Sequence, residues 1–163
     1  MVPEFDGGLL SADECAKLIR FAEPLRKAEL RDTDPVNVFL ERDSAPWLFD
    51  RLAVKFANYA PTVEQSHIMP VRILRYVPGD RIDWHTDYKP GSPRKLTALV
   101  ALNTGYRGGE LQIMGGDGQP VELPTRRAGD AVFFYGWMPH RVLPVTDGER
   151  LALAAWATGP DYV

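Results

Sequence analysis

The apolar residues of this chain recur at helical spacing near the N-terminus and in short alternating runs further on. Ser11 and Glu14 are spaced as in a capping box, in which a serine caps a helix and a glutamate reaches back to it. Cys15 and Leu18 then begin an apolar stripe with a helical period. We therefore predict a helix that begins after Ser11 and ends or kinks at Pro24.

A second apolar stripe predicts another helix. Pro46 suits a first helical turn, and the stripe ends before Pro61. Its members are Trp47, Leu48, Leu52, Phe56 and Tyr59. Residues 36–40 read as an edge strand between the two helices, and residues 61–69 read as a loop in which His67 has a structural or exposed role.

From residue 71 onward the pattern changes to short apolar runs separated by glycine and proline. The predicted strands are 71–77, 84–87, 96–103, 110–114, 121–123, 131–134, 141–145 and 151–158. Many short strands with turn signals indicate a sandwich or barrel, and the jelly roll of the cupins is one such fold. We expect one domain over 1–163, mainly β, with helical support at about 11–60 and a β core at about 71–158.

Composition narrows the class of protein. The chain has 163 residues, is 45% hydrophobic and carries a net charge of −3, which suits a globular domain and gives no basic footprint for nucleic acid. No apolar run approaches the length of about 20 residues that spans a membrane, and no basic, apolar leader opens the sequence. Cys15 is the single cysteine. We expect a cytoplasmic protein without nucleic acid or membrane partners.

Candidate chemistry begins with His85 and Asp87. Residues two apart on a strand point to the same face, so this pair can present two ligands to one metal ion. His140 opens a β-branched segment that can run beside the first strand and supply a third ligand. Two histidines and one carboxylate leave open positions on an octahedral metal, which is typical of non-haem Fe(II) oxygenases.

Arg150 is a candidate for binding a carboxylate. Asp147 and Gly148 stand between two apolar runs, which is a strong hairpin signal. A hairpin centred there would pair Arg150 near Val145, about 16 Å along the strand from His140 at roughly 3.3 Å per residue. An arginine fork is the side chain best shaped to hold a carboxylate with two hydrogen bonds.

The order of these motifs resembles the Fe(II)/2-oxoglutarate-dependent dioxygenases, and most closely their prolyl 4-hydroxylase branch. The resemblance covers about residues 71–158. It rests on Arg75-Tyr76-x-x-Gly79, His85-x-Asp87, residues 96–103, Gly108-Gly109-Glu110-Leu111, Gly129-Asp130-x-x-Phe133-Phe134, Pro139-His140-x-Val142-x-Pro144, and Arg150 with Trp156. It implies a double-stranded β-helix with supporting α-helices on one sheet.

The resemblance also implies roles for residues of the site. His85, Asp87 and His140 would be the Fe(II) ligands and the catalytic centre. Arg150 and Tyr76 would bind 2-oxoglutarate. Halogenating relatives carry a small residue in place of the carboxylate ligand, so the presence of an aspartate favours hydroxylation. Leu99 is expected to face inward and line the co-substrate pocket.

For the substrate side, the resemblance implies Arg94 and Trp156, with Tyr88 and Arg141 as weaker candidates next to the ligands. The implied reaction is hydroxylation of a prolyl residue in a peptide or protein. It would consume O2 and convert 2-oxoglutarate to succinate and CO2, with ascorbate as a supporting reductant.

Three alternatives stay open at this stage. The substrate could be a free amino acid, which sequence separates poorly from a peptide. A nucleic-acid dealkylase of the same superfamily would carry a second arginine where this chain has Trp156. A non-enzymatic cupin-like metal-binding or sensing module would not need Arg150 and Tyr76 together.

Overall fold

The computed structural model describes residues 2–24, 34–123 and 127–162. Within these ranges it contains two α-helices, α1 (Ala12–Ala22) and α2 (Pro46–Tyr59), and a 3-10 turn at Arg42–Ser44. The predicted capping box is confirmed, because the Glu14 amide donates to Ser11 Oγ at 3.1 Å and the Ser11 amide donates to Glu14 Oε2 at 2.9 Å. Neither helix is both long and apolar enough to cross a membrane.

The rest of the described chain is mainly β. Its strands are β1 (Glu4–Asp6), β2 (Val36–Leu40), β3 (His67–Ile68), β4 (Val71–Tyr76), β5 (Ile82–His85), β6 (Arg94–Ala101), β7 (Arg107–Gly108), β8 (Leu111–Met114), β9 (Pro120–Leu123), β10 (Ala131–Tyr135), β11 (His140–Val142), β12 (Val145–Asp147) and β13 (Arg150–Thr158).

These strands form two facing antiparallel sheets. The larger has the order β1-β10-β6-β13-β4-β2, with β3 also paired to β13, and the smaller has the order β5-β11-β8-β9. β7 and β12 make a separate two-stranded pair. This arrangement confirms the predicted fold class, a mainly β jelly roll with helices packed on one sheet.

The larger sheet buries both of its faces, but against different neighbours. Side chains such as Ile73 and Leu153 share one apolar core with Leu18, Leu52 and Phe56 of the two helices. The opposite face packs toward the smaller sheet through a second core, whose members include Leu74, Tyr76, Ile113, Val142 and Ala154. Because strand side chains alternate, every second residue of β4 and β13 points into the space between the sheets.

The predicted hairpin at Asp147 and Gly148 was wrong. β12 pairs with β7, whereas β13 enters the larger sheet between β4 and β6. Arg150 therefore lies opposite Tyr76 and not near Val145. Gly148 makes the turn with a φ of 72° and sits against Gly105 and Tyr106, so the chain changes sheets there without folding back on itself.

Several other strand boundaries differ from the predictions. The strand predicted at 84–87 is β5 at Ile82–His85, so Asp87 lies beyond its end, where the Asp87 amide donates to the Gly136 carbonyl oxygen at 2.8 Å. Residues 141–145 do not form one strand, because the chain leaves β11 after Val142 and Pro144, which lacks an amide hydrogen, precedes β12. β1 and β3 lie in segments predicted to be a lead-in and a loop, and they are too short to show a period. His67 of β3 has its ring Nδ1 3.1 Å from Thr158 Oγ1, which gives it a structural contact.

Candidate active site

A cavity of about 290 Å³ opens between the two sheets. Its floor is the inward face of the larger sheet, to which β4 and β13 contribute alternate residues. Those residues are Arg72, Leu74, Tyr76, Arg150, Ala152, Ala154 and Trp156. The smaller sheet covers the cavity with side chains of β5 and β11, among them Ile82, His85, His140 and Val142.

His85, Asp87 and His140 converge at this cavity. One donor atom from each residue lies within 4.8 Å of the others. Strand pairing brings the histidines together, because His140 of β11 is the direct partner of His85 of β5. His85 Nε2 lies 3.6 Å from Asp87 Oδ1, and His140 Nε2 lies 3.4 Å from Asp87 Oδ2. These atoms form a compact set of two nitrogens and a carboxylate.

The backbone fixes which nitrogen each imidazole presents. His85 Nδ1 is 2.8 Å from the Asp83 carbonyl oxygen, and His140 Nδ1 is 2.9 Å from the Met138 carbonyl oxygen. A carbonyl oxygen accepts hydrogen bonds, so each Nδ1 must carry the hydrogen and each Nε2 is left free as a ligand. The same arrangement is typical of histidines that bind metals.

Asp87 is held as an anion. Thr97 Oγ1 donates to Asp87 Oδ2 at 2.7 Å. Burial opposes the charge of Asp87, but the hydrogen bond from His85, the adjacent His140 and the Thr97 hydroxyl together hold its pKa well below the usual range. A buried carboxylate that stays ionised beside two imidazoles suits a divalent cation.

The pKa values of the two histidines shift in opposite directions. Burial lowers the pKa of His140, so this imidazole is neutral and can donate a lone pair to a metal. Burial also acts to lower the pKa of His85, but its hydrogen bonds with Asp87 and the Asp83 carbonyl raise the pKa above the ordinary value. Of the two histidines, His140 is therefore the one whose neutral, metal-binding form is the more favoured.

Arg150 and Tyr76 form a second polar group at one end of the cavity. They are direct partners across β13 and β4, and the Arg150 guanidinium carbon lies 4.7 Å from the centre of the Tyr76 ring. Both side chains are buried. The Nε and Nη1 atoms of Arg150 have no hydrogen-bond partner among the described residues. A buried guanidinium with free donors is a site for a carboxylate.

A triad of candidate metal ligands and a buried arginine whose Nε and Nη1 lack a partner among the described residues line the same cavity from facing sheets. This combination agrees with the family profile that the sequence matches. The profile of the 2OG-Fe(II) oxygenase superfamily matches residues 71–158. The chain belongs to this superfamily. The donor set described above fits the Fe(II) and the 2-oxoglutarate that the superfamily's name specifies, because His85, Asp87 and His140 offer three metal ligands and Arg150 offers unpaired donors.

The curated proteins that resemble this chain include hydroxylases. A PKHD-type hydroxylase from Parvibaculum lavamentivorans is 30% identical over 146 residues, which cover 83% of this chain and 61% of that protein. This chain therefore spans about three fifths of the relative's length.

Two solved structures show the same fold. One is a Pseudomonas putida prolyl-4-hydroxylase, with a TM-score of 0.78 and 22% identity over 98% of this chain and 93% of that one. The other is a prolyl hydroxylase from Trichoplax adhaerens in complex with a hypoxia inducible factor peptide, with a TM-score of 0.74 and 14% identity over 96% of this chain and 83% of that one.

The other residues singled out from the sequence divide into two groups. Leu99, Arg94 and Trp156 line the cavity. Tyr88 and Arg141 lie outside its lining: the Tyr88 ring stacks on Tyr162 at 5.0 Å between centroids. The Arg141 Nε atom donates to Gln112 Oε1 at 2.9 Å while its guanidinium lies over Trp84. Alternation along β11 turns Arg141 away from the face of its neighbour His140, whereas Tyr88 lies beyond the end of β5.

Sequence reasoning missed Arg72, which lines the cavity, and Thr97, which lies outside the lining and contacts Asp87. Thr97 is a polar residue inside the apolar run 96–102, and it is fully buried. It stands two residues from Leu99 and so shares its strand face, which was the available signal for its burial. Arg72 stands four residues before Tyr76 on β4 and so shares its face. The separation of Arg72 and Tyr76 by an even number of residues was the available signal, but the resemblance gave Arg72 no role.

Proposed function

We propose that this chain hydroxylates a prolyl C–H in a peptide or protein and couples that step to the conversion of 2-oxoglutarate to succinate and CO2. His85, Asp87 and His140 would hold Fe(II). Bound Fe(II), with 2-oxoglutarate and O2, supplies the oxidising chemistry. The observation that carries the proposal is the buried Arg150 guanidinium, which lines the same cavity as the triad. Its Nε and Nη1 have no partner among the residues that the structure describes.

The residues of the chain would position the reactants and keep water out. Arg150 would pair with the distal carboxylate of 2-oxoglutarate, and the charge of that carboxylate would satisfy the buried guanidinium. Burial raises the pKa of Tyr76, so its phenol stays protonated and can donate a hydrogen bond to the same carboxylate. The half-buried Leu99 and the buried Ala154 give the space between the two sites an apolar wall.

A prolyl substrate is supported by the similar proteins. The relative from Parvibaculum lavamentivorans is a PKHD-type hydroxylase, and the similar structures include prolyl hydroxylases, one of them bound to a peptide. A free amino acid is the second candidate substrate, because two more arginines, Arg72 and Arg94, line the cavity. A non-enzymatic metal-binding module is disfavoured by membership of an oxygenase superfamily.

The proposal is tested first by binding and then by turnover. Fe(II) and 2-oxoglutarate are added to the protein without oxygen, and the visible charge-transfer band of a chelated 2-oxoacid is recorded. We expect a band that is lost in the His140→Ala variant. Succinate is then measured in air with ascorbate present, across a panel of proline peptides and free amino acids. Absence of the band, or succinate formation that no proline compound increases, would contradict the proposal.

A further inference from the structure

Two arginines flank a tryptophan at the part of the cavity away from Arg150. The guanidinium carbon of Arg72 lies 5.2 Å from the centre of the Trp156 ring, and that of Arg94 lies 4.4 Å from it. All three side chains line the cavity. Trp156 is six residues after Arg150 on the same strand, which is about 20 Å at 3.3 Å per residue. The cavity therefore has a positively charged group at each end.

The backbone directs both arginines to the cavity face. Arg72 of β4 pairs with Ala154 of β13, so it shares the face of Ala154 and Trp156. On β6, Thr97 is the partner of Trp156, and simple alternation from Thr97 would turn Arg94 away. A register shift next to Thr158 makes Lys95 an extra residue and leaves Arg94 paired with Thr158, which restores Arg94 to the cavity face. Bulges that redirect a side chain are common beside active sites.

Within the part of the chain that the structure describes, neither guanidinium group is paired with a carboxylate. Arg72 Nε and Arg94 Nε are buried there without a hydrogen bond. Two carboxylates line the cavity, Asp34 and Asp87, and Asp87 is committed to His85, His140 and Thr97. Burial, and then the nearby charge of Arg94, lower the pKa of Arg72, and the charge of Asp87 opposes this shift without cancelling it.

We propose that Arg72 and Arg94 bind a carboxylate of the molecule that is hydroxylated, and that this carboxylate lies close to the reacting carbon. The inference rests on the proposed function and adds a substrate class to it. A carboxylate would neutralise the pair and accept hydrogen bonds from both forks.

Three sources could supply such a carboxylate. It could be the α-carboxylate of a free amino acid, the C-terminal carboxylate of a peptide, or an acidic side chain beside the target residue. All three sources present a carboxylate group of the same charge and shape. They differ in the chemical groups that surround this carboxylate. The proposal therefore predicts that a long peptide does not bind tightly when its target proline has only neutral neighbours.

The test measures binding by titration calorimetry to the whole protein loaded with Fe(II) and 2-oxoglutarate in the absence of oxygen. The probes are L-proline, N-acetyl-L-proline, a peptide that ends in proline and a peptide with aspartate beside proline. Each carboxylate probe is matched with its amide. We expect at least one carboxylate to bind about tenfold or more tightly than its amide, as loss of a charge-assisted hydrogen bond predicts. The probe that shows the largest ratio identifies the source.

Variants of Arg72 and Arg94 test whether these two residues cause the preference for the carboxylate over the amide. Arg72→Gln and Arg94→Gln should each remove most of the preference for the carboxylate, and Arg72→Lys should restore part of it. The matched control is Arg75→Gln, three residues along β4 on the opposite face, where Arg75 Nη2 donates to Glu149 Oε1 at 2.6 Å. This control should keep the full preference. Affinity for 2-oxoglutarate should stay within about twofold in all four variants.

Each remaining result would overturn the inference. Equal binding of every carboxylate and its amide, or no binding of any carboxylate, would mean that the pair does not recognise this charge. Loss of 2-oxoglutarate binding in Arg72→Gln, to the extent seen in Arg150→Gln, would assign the pair to the co-substrate. If 2-oxoglutarate fails to bind the unaltered protein, the proposed function itself has failed, and the two failures are therefore distinguishable.

Discussion

Thr97 donates a 2.7 Å hydrogen bond to Asp87 Oδ2, and both side chains are buried. The same carboxylate oxygen lies 3.4 Å from His140 Nε2. Thr97 therefore fixes the rotation of the Asp87 carboxylate that the metal would bind, although Thr97 itself is not one of the three candidate ligands. Such outer contacts orient metal ligands and are a large part of metal affinity.

Thr97→Val should weaken metal binding without removing it. Valine has nearly the shape of threonine and lacks the hydroxyl, so Asp87 loses one hydrogen bond and gains freedom to turn. We expect the dissociation constant for Fe(II) to rise by about 10- to 100-fold, measured by anaerobic titration. Thr146→Val, at an exposed position of β12, is the control and should bind as the unaltered protein does. Equal affinity in Thr97→Val would show that the hydroxyl does not position the ligand.

Arg150→Gln should weaken binding of 2-oxoglutarate while leaving the metal site intact. The guanidinium is buried, and two of its nitrogen atoms have no partner among the described residues. On the proposed function, its loss would remove charge-assisted hydrogen bonds to the co-substrate. We expect the dissociation constant for 2-oxoglutarate to rise by about 10- to 100-fold. The dissociation constant of Arg150→Lys should lie between those of Arg150→Gln and the unaltered protein, because lysine keeps the charge but lacks the planar guanidinium. Calorimetry of the Mn(II)-loaded protein measures this directly, and unchanged Mn(II) affinity is the control.

The parts of the fold and site that follow from local pattern could be predicted. The capping box at Ser11 marks the start of α1, and the apolar stripe after Pro46 gives α2 within a residue. The pairing of His85 with Asp87 could be predicted from their spacing, but its reason was only partly right, because β5 ends at His85 and Asp87 lies beyond the strand. His140 could be joined to them because its segment has β character and the motif order resembles a known family.

The parts that depend on distant pairing could not be predicted. The Asp147-Gly148 pattern is a genuine turn, but which strand Arg150 meets is decided by the sheet it enters, and that sheet includes residues about 75 positions earlier along the chain. The role of Arg94 on the cavity face depends on a one-residue register shift at Lys95, and no local pattern encodes it. Arg72 becomes a neighbour of Trp156 only when β4 and β13 pair.

Metal addition should stabilise the protein through the triad. A ligand that binds only the folded state adds about 2.7 kcal/mol to the free energy of unfolding at a concentration 100 times its dissociation constant. For a protein of this size we expect Mn(II) or Fe(II) to raise Tm by several degrees, and EDTA to reverse the rise. Asp87→Ala should abolish the response, since it removes one of the three donors. Asp83→Ala, which alters an exposed carboxylate near the triad, should retain it.

Acid should remove a stabilising contact at the start of α1. Arg51 of α2 donates to both carboxylate oxygens of Glu14, at 2.7 and 2.9 Å, and the Ser11 amide donates to Glu14 as well. The Arg51 hydrogen bonds, followed by the Ser11 amide, lower the pKa of Glu14 from 4.5 to about 2. Because the folded-state pKa is the lower one, this contribution is complete above about pH 4.5 and is lost as the pH falls toward 2.

Glu14→Gln should therefore lower the free energy of unfolding at pH 7 by about 1 to 2 kcal/mol, a modest value because the ion pair is partly exposed to solvent. The difference between the variant and the unaltered protein should shrink between pH 4.5 and about 2, where Glu14 becomes protonated in the folded state. Urea unfolding at a series of pH values measures this. Asp13→Asn, in the same first turn of α1, is the control and should show a smaller effect at pH 7. A Glu14→Gln difference that stays constant from pH 7 to pH 2 would mean that ionisation of Glu14 does not hold α1 to α2.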